Sequence, residues 1–215
     1  MSDGPAARGV LLFGGSFDPI HHGHLIVSRA AAEELGLDQV VLIPAANPPH
    51  KDAALLTPAE HRLAMCRLAV DDDPQFEVSA WEIARAGPNY SLHTVRHFQE
   101  TLPAGSRIHW LLGMDSLLEL ASWHRPAELA SACTLVTAVR PGCEAPDLER
   151  LREALSPKQI GVIEEHILET PLIDIRATAI RARVRGGQSI RHLVPERVRG
   201  YIAEHRLFVG KRTAD

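Results

Sequence analysis

The sequence predicts an α/β fold, with a parallel sheet between helices on both faces and a helical segment at the C-terminal end. Residues 10–13 form an apolar run long enough for a buried strand, and apolar residues at helical spacing follow up to Leu35. Residues 39–43 form a second apolar run. Since strand, helix and strand in succession place two parallel strands side by side, these runs indicate the start of a parallel sheet. At 215 residues the chain is long enough for one stable domain.

Composition narrows the class of protein. Apolar residues make up 45% of the chain and charged residues 23%, which is typical of a globular protein rather than a disordered one. The net charge of −4 argues against a general nucleic-acid binder. No apolar run reaches transmembrane length and the first residues lack the apolar core of a signal peptide, so we expect a cytoplasmic protein with no membrane partner. The three cysteines, Cys66, Cys133 and Cys143, form no Cys-x-x-Cys motif and fit a reducing compartment.

The stretch after the first strand carries the strongest chemical signal. Residues 14–24 read Gly-Gly-Ser-Phe-Asp-Pro-Ile-His-His-Gly-His. Glycines let a backbone turn sharply and approach a ligand, and a helix start attracts phosphate through unpaired N–H groups and a partial positive charge. His21 and His24 are three residues apart and share one helix face, where two imidazoles could hold a triphosphate and stabilise charge during attack on phosphorus. The candidate phosphate-binding residues of this stretch are Gly14, Gly15, Ser16, Phe17, His21 and His24.

Other interpretations of this stretch were compared with phosphate binding. A His-x-x-His pair is also typical of a metal site, which Asp18 or His22 would complete. The histidines could equally be solvated residues of a helix start. The dinucleotide loop of oxidoreductases is disfavoured, because no Gly-x-Gly-x-x-Gly is present and the second strand ends in Leu-Ile-Pro without the acid that binds a ribose. We therefore favour phosphate binding as the function of residues 14–24.

The same stretch resembles the signature of nucleotidyltransferases that carry a His-x-Gly-His motif on a Rossmann-like fold. His21, Gly23 and His24 are the matching positions. The resemblance implies a single nucleotidyltransferase domain over residues 8–208, with flexible termini at 1–7 and 209–215. Within this superfamily, later segments are similar to the bacterial nicotinate-nucleotide adenylyltransferases.

One of these segments follows the second strand, where residues 43–51 resemble the family's Ile-Pro-x-x-x-Pro-Pro-His-Lys/Arg. Ligands of parallel sheets lie at the carboxyl ends of strands, so His50 and Lys51 are expected to reach toward phosphates. An exposed basic loop is the alternative. Ala45 stands where many members have Asn, which removes one polar side chain.

A second segment, Asn-Tyr-Ser-Leu-His-Thr at residues 89–94, resembles the family's Tyr-Thr/Ser-x-x-Thr. In that family, backbone N–H groups near the tyrosine receive the nicotinate carboxylate. Tyr90, Ser91 and Thr94 are the matching positions. The pattern alone also fits a loop and an ordinary helix over residues 92–100, capped by Ser91.

Two further motifs follow the strand expected at residues 108–112. Residues 113–117 read Gly-Met-Asp-Ser-Leu, which is similar to the family's Gly-x-Asp-Ser-Leu. Gly113 and Asp115 are placed to bind ribose hydroxyls, although Asp115 could instead cap a helix. Trp123 matches a family tryptophan that stacks on a ring, whereas tryptophan elsewhere usually belongs to the core.

The last motifs are implied to bind ATP. Arg140 begins an Arg-Pro-Gly that resembles the family's sequence near the adenine. Residues 175–181 resemble Ile-Ser-x-Thr-x-Ile-Arg, whose hydroxyls and final arginine bind ATP phosphates, with Ile175, Thr178 and Arg181 among the matching positions. Arg176 and an alanine replace the usual pair of small residues, so phosphate contacts are either missing or supplied by Arg176.

The remaining pattern predicts the rest of the fold. Thr57, Pro58 and Glu60 indicate a helix start with a capping box. The arginines between residues 181 and 199 are interpreted as a solvated helical face rather than a nucleic-acid patch. The other expected elements are strands at 76–78 and 134–139, a solvated helix at 147–155, a strand at either 160–163 or Ile167–Leu168, and a packed helix at 194–208.

The resemblance implies adenylyl transfer from ATP to nicotinate mononucleotide, giving nicotinate adenine dinucleotide and pyrophosphate. His21, His24, Lys51 and Arg181 are the expected catalytic residues, with no protein-held metal and with Mg²⁺ carried by ATP. Two alternatives remain open: a related transferase acting on phosphopantetheine or a cytidine nucleotide, and a non-catalytic nucleotide-binding module. The oligomeric state is open, a homo-oligomer included.

Overall fold

The computed structural model describes residues 8–47, 56–139 and 148–209. Of the expected flexible termini, only Val209 lies within these ranges. The described strands form one six-stranded sheet in the order β3-β2-β1-β4-β5-β6, and every neighbouring pair is parallel. The strands are β1 (Gly9–Gly15), β2 (Gln39–Pro44), β3 (Phe76–Val78), β4 (Arg107–Gly113), β5 (Thr134–Ala138) and β6 (Ile167–Leu168).

Helices follow most of the strands. They are α1 (His22–Glu34), α2 (Ala59–Val70), α3 (Ser91–Thr101), α4 (Met114–Leu118), α5 (Pro126–Ala132), α6 (Pro157–Glu164), α7 (Ala177–Arg185) and α8 (Glu196–Glu204), with 3₁₀ turns at Leu120–Ser122 and Glu149–Glu153. Within the described ranges, no helix is long and apolar enough to cross a membrane.

The strand order reverses direction at the middle of the sheet, between β1 and β4. From β1 the chain adds β2 and β3 on one side, then crosses back and adds β4, β5 and β6 on the other. Loops therefore leave β1 and β4 in opposite directions at their carboxyl ends. Open parallel sheets bind ligands at such a switch point, so the loops after β1, β2 and β4 are the natural place for a site.

Both faces of the sheet are covered by apolar packing, because side chains alternate along each strand. On one face, Leu11 of β1 belongs to a core cluster with buried residues of α1, α2, α7 and α8. On the other face, Val10 and Leu12 belong to a second cluster with residues of α3, α4, α5 and α6. The predicted α/β fold, with a parallel sheet and helices on both faces, is confirmed.

Several local predictions need correction. The sixth strand is Ile167–Leu168, because residues 160–163 continue α6, which starts at a capping box between Ser156 and Gln159. In place of the solvated helix expected at 147–155 there is a 3₁₀ turn at Glu149–Glu153, and Leu151 within it and Leu148 and Leu155 beside it are buried in the second core cluster. Residue 147 itself lies outside the described residues.

Two predicted helix caps are also wrong. Pro58, not Thr57, holds the cap position of α2, and no side chain caps that helix. Tyr90 holds the cap position of α3, so Ser91 is the first helical residue and again no side chain caps the helix. In both cases the main-chain conformation changes one residue away from the position that sequence patterns favoured.

Candidate active site

A pair of stacked histidines stands at the start of α1. His21 is the cap residue, and its Nδ1 accepts a hydrogen bond from the His24 backbone N–H at 3.3 Å. His24 Nδ1 accepts in return from the His21 backbone N–H, also at 3.3 Å. The ring centroids lie 3.6 Å apart with an angle of 18° between the planes. The two rings are therefore neighbours, as the three-residue spacing predicts, although His21 lies at the cap position just before the helix and not on a helix face.

This reciprocal cap fixes how the two rings can act. Because each Nδ1 accepts a hydrogen bond from the backbone, a neutral ring carries its proton on Nε2. In this tautomer the ring donor of each histidine is its Nε2–H. The backbone N–H groups of the first helical turn add partial positive charge at the same place. An anion with several oxygens fits this arrangement.

The glycines after β1 act differently from the prediction. Gly14 and Gly15 continue the strand, and the turn comes later, at Phe17, whose φ is 44°. A Cβ on Gly14 would lie 2.7 Å from the Trp110 ring, and one on Gly15 would lie 3.2 Å from the Phe17 ring. Both glycines therefore make room for aromatic rings.

Phe17 itself is buried, with 2% of its surface exposed, and packs edge-on against His24 at 5.0 Å between ring centroids. The Phe17 side chain therefore packs against the histidine pair and does not face a ligand. Gly23 serves the same pair, because a Cβ there would lie only 3.1 Å from Nδ1 of His21. Ser16 follows β1 directly, and its backbone carbonyl is held by a buried arginine.

That arginine, Arg62 of α2, is 1% exposed. Its guanidinium donates to the carbonyls of Ser16 at 2.7 Å, Thr57 at 2.8 Å and Ala46 at 3.5 Å. Burial lowers the pKa of Arg62, while Asp18 raises it. One side chain thus links the loop after β1, the loop after β2 and the start of α2.

Arg181 of α7 reaches the loop after β1 from the other end of the chain. Its Nη1 donates to the Asp18 carbonyl at 2.6 Å and lies 3.9 Å from the buried Asp18 carboxylate. Thr178 is exposed in the first turn of α7, and Ile175 packs against the first core cluster just before the helix. Arg176 forms an ion pair with Asp174 at 2.9 Å. The structure therefore brings Arg181 to the histidine loop, and its predicted role as an ATP-phosphate ligand stays a prediction.

Tyr90 stands beside the segment that carries Trp123. The Tyr90 ring stacks on His124, with 4.2 Å between centroids and an angle of 18°, and His93 meets both rings edge-on. Trp123 is partly buried and packs against the second core cluster. The predicted stacking of Trp123 on a ring of the substrate stays a prediction, and within the described residues the ring that stacks on Tyr90 is that of His124. Burial lowers the pKa of His93, as do Arg85 and His124.

Thr94 does not line the surface. It is fully buried, and its hydroxyl donates to the Glu82 carboxylate at 2.5 Å. The predicted role of Thr94 as a direct substrate ligand is therefore replaced by an internal contact. Asn89, one residue before Tyr90, donates from its backbone N–H to the Asn47 carbonyl at 3.2 Å. This contact holds the start of α3 against the end of β2.

The end of β4 supplies the last part of the site. Gly113 holds the cap position of α4 with no side-chain cap, and Asp115 is exposed in the first helical turn. Asp115 is thus not the cap residue, which removes the structural alternative considered for it. An exposed carboxylate at the carboxyl end of a central strand is well placed for ribose hydroxyls.

The structure brings most predicted residues to one edge of the sheet. The loops after β1 and β2 are joined through Arg62, β1 and α7 through Arg181, and β2 and α3 through Asn89. His50, Lys51 and Arg140 lie outside the described residues, so their predicted roles stay predictions.

Comparison with known proteins decides the family. A model of the cytidylyltransferase-like family matches residues 12–183. A curated relative from Dehalococcoides mccartyi strain CBDB1, named "Probable nicotinate-nucleotide adenylyltransferase", is 40% identical over 200 residues, 93% of this chain and 97% of the relative. A relative of the same name from Thermomicrobium roseum is 41% identical over 197 residues, 92% of this chain and 90% of the relative.

The chain belongs to the nicotinate-nucleotide adenylyltransferase family. Solved structures agree on the fold. The Plasmodium falciparum nicotinic acid mononucleotide adenylyltransferase complexed with NaAD superposes with a TM-score of 0.73, covering 94% of this chain and 97% of that one at 14% identity. Its complex with APC gives a TM-score of 0.69. At this identity the likeness shows the nucleotidyltransferase fold alone.

For this family member, sequence reasoning missed several site residues. Arg62 had a signal, because it occupies the buried stripe of α2 with Met65 and Cys66, where an arginine needs partners. Glu82 and His124 had no local signal, since their partners are 12 and 34 residues away in the sequence.

Proposed function

We propose that the chain transfers the adenylyl group of ATP to nicotinate mononucleotide, giving nicotinate adenine dinucleotide and pyrophosphate. The observation that carries the proposal is the stacked pair His21 and His24 beside Arg181, at the switch point of a sheet in a member of this family. The names of the relatives supply the substrate class.

The reaction needs no covalent intermediate on the protein. A phosphate oxygen of the mononucleotide bonds to the α-phosphorus of ATP, while the bond to the bridging oxygen breaks and pyrophosphate leaves with the electron pair. Among described thiols, burial raises the pKa of Cys66 and raises that of Cys133 to about 12, so neither is a ready nucleophile. Catalysis then depends on positioning and on stabilising the developing charge.

His21 and His24 supply that stabilisation through their Nε2–H groups, aided by the N-terminus of α1. Arg181 would bind the leaving pyrophosphate, and we assign Lys51 to the same role. The backbone from Gly14 to Phe17 borders the triphosphate. Ile175 and Thr178 at the start of α7, together with Arg140, complete the ATP site in the proposal.

In the proposed reaction ATP binds as its Mg²⁺ complex. Mg²⁺ keeps several waters and is bound in nucleotide sites largely through phosphate oxygens. Within residues 8–47, 56–139 and 148–209, no group of three or more His, Cys, Asp or Glu side chains is placed to hold a metal ion. Because Mg²⁺ binds the phosphate oxygens of ATP, we assign the ion to the substrate.

The mononucleotide is assigned to the loops after β2 and β4 and to the start of α3. Asp115 faces solvent beside Gly113 and would accept hydrogen bonds from ribose hydroxyls. The first N–H groups of a helix lack intrahelical partners, and no side chain caps α3. The peptide N–H groups at Tyr90 and Ser91 would receive the pyridine carboxylate, with Trp123, His50 and Lys51 around the rest of the substrate.

The deciding experiment measures pyrophosphate release from ATP with nicotinate mononucleotide, followed by identification of the dinucleotide product. Release only with the mononucleotide supports the proposal. Product formation instead from phosphopantetheine or a cytidine nucleotide would identify a related transferase, and ATP binding without release would identify a non-catalytic module.

Substrate choice gives a sharper test of the carboxylate assignment. A carboxylate offers only acceptors to two N–H donors, whereas an amide must turn its NH₂ toward one of them. We expect nicotinate mononucleotide to exceed nicotinamide mononucleotide by about 100-fold or more in kcat/KM, because one buried donor would otherwise be unpaired. Competition at equal concentrations measures the ratio, and a ratio near one contradicts the assignment.

A further inference from the structure

A buried carboxylate lies beneath the start of α3. Glu82, on the segment between β3 and α3, is 3% exposed. Its Oε1 accepts a 2.5 Å hydrogen bond from the hydroxyl of Thr94, which is itself fully buried. Glu82 is therefore bonded to the first turn of the helix that follows Tyr90.

The main chain of Glu82 holds the residue on the other side of Tyr90. Its carbonyl accepts a 3.1 Å hydrogen bond from the Asn89 side-chain amide. The Oδ1 atom of that amide accepts from the Asn47 backbone N–H at 2.6 Å, so the contact continues to the end of β2. Asn89 is 7% exposed, so the bonds that join Glu82 to Asn89 and Thr94 are shielded from water, whereas Asn47 is exposed.

Tyr90 and Ser91 thus lie between two residues anchored on Glu82. We propose that Glu82 is a positioning residue that fixes the Tyr90–Ser91 peptide groups for the pyridine substituent of the mononucleotide. This inference rests on the proposed function, because it is that function which assigns these peptide groups to the substrate. Glu82 itself touches no reacting atom, so its effect falls on substrate binding.

Charge around Glu82 makes this support depend on pH. Burial raises the pKa of Glu82 to about 7, although the Thr94 hydrogen bond and Arg85 lower it. His93 on α3 is a second titratable group near Arg85, and its pKa is lowered. His97 on α3 stacks on the ring of Trp81, the neighbour of Glu82. Within the described residues, the contact that reaches this network from beyond β2 comes from the neutral Asn47.

Ionisation of Glu82 weakens binding of the mononucleotide for two reasons, and both raise the Michaelis constant. An ionised carboxylate at this buried position is poorly solvated, and the Thr94 hydrogen bond and the Arg85 charge offset only part of that cost, so ionisation favours a rearrangement of the network. It also adds negative charge beneath a site that receives a carboxylate. The Michaelis constant for nicotinate mononucleotide is therefore expected to rise with pH across about pH 7, with little change in kcat.

The experiment compares wild type with Glu82→Gln by initial rates at saturating ATP, from pH 6 to 8.5. Glutamine keeps an acceptor for Thr94 and removes the titration. Glu77→Gln, at an exposed glutamate of β3, is the matched control. Because all proteins meet the same substrate, ionisation of the mononucleotide phosphate cancels in the ratio of their KM values.

We expect the ratio of wild-type to Glu82→Gln KM to rise about fivefold or more between pH 6 and 8, while kcat stays within about threefold. A constant KM ratio, or a loss confined to kcat, would overturn the inference. If Glu82→Gln does not fold, Thr94→Val supplies the test, because losing its hydrogen bond raises the Glu82 pKa and moves the KM rise to higher pH. An unmoved profile in Thr94→Val then overturns the inference. A wild-type protein that releases no pyrophosphate contradicts the proposed function instead.

Discussion

Replacing Glu82 by glutamine should change how stability depends on pH, independently of any activity. In the folded protein burial raises the pKa of Glu82 to about 7, from an ordinary value of 4.5. Below pH 4.5 both states hold the proton. Between pH 4.5 and 7 the unfolded chain loses it while the folded chain keeps it, so the free energy of unfolding falls as pH rises. Above pH 7 both states are ionised and the loss is complete.

The magnitude follows from the two pKa values. Between pH 5 and pH 8, wild type should lose about 2.5 kcal/mol of stability through this one group, and Glu82→Gln should not. For a domain of this size that corresponds to about 5–10 °C in Tm. The difference in Tm, Glu82→Gln minus wild type, should therefore become more positive by that amount from pH 5 to pH 8.

Thermal unfolding followed by circular dichroism at several pH values measures this difference. Subtracting the wild-type Tm at each pH removes every other titrating group shared by the two proteins. Glu77→Gln controls for the loss of one surface carboxylate. A Tm difference that stays flat from pH 5 to 8 would show that Glu82 is ionised in the folded protein throughout, and would refute both the pKa argument and its cause.

Three substitutions test the histidine loop. His24→Ala should lower kcat by about 100-fold or more, since it removes one preorganised donor, and near wild-type turnover in a folded variant contradicts this. Gly23→Ala should lower kcat/KM by about tenfold or more, because the added methyl group displaces the His21 ring. Its Tm should stay equal or rise, because alanine favours the helix more than glycine does. Unchanged kinetics would show that the ring moves aside without loss of activity. Arg62→Met should cost about 3 kcal/mol in urea unfolding, because it leaves the Ser16 carbonyl and two others unpaired, and a loss below about 1 kcal/mol would mean that water replaces the guanidinium.

The start of the fold could be read from the sequence because its causes are local. An apolar run, a turn and an amphipathic run are sufficient to define β1 and α1, and the three-residue spacing of His21 and His24 places their rings on one side of a helix. The alternation of strands and helices likewise predicts a parallel sheet. Even here the two glycines belong to the strand rather than to the turn, where Gly14 makes room for the ring of the distant Trp110 and Gly15 for the ring of the nearby Phe17.

Local sequence patterns do not decide between two segments that fit the same structural element. Residues 160–163 and Ile167–Leu168 have similar apolar content, and only the cap at Ser156 together with pairing to β5 made the second one the strand. Pro58 and Tyr90 became cap residues against the predicted Thr57 and Ser91, because the entry angle of a helix is set by packing as well as by the capping side chain.

By itself, the sequence determined the fold class, the histidine pair and the family, since each depends on short motifs or runs whose own residues are close together in the chain. The tertiary structure decided which side chains hold these parts in place. Arg181 meets Asp18 across 163 residues, and Arg62 meets Ser16 across 46. The partner of a buried polar group is chosen by whatever the folded chain brings within about 3 Å, and a pattern along the sequence carries no record of that distance.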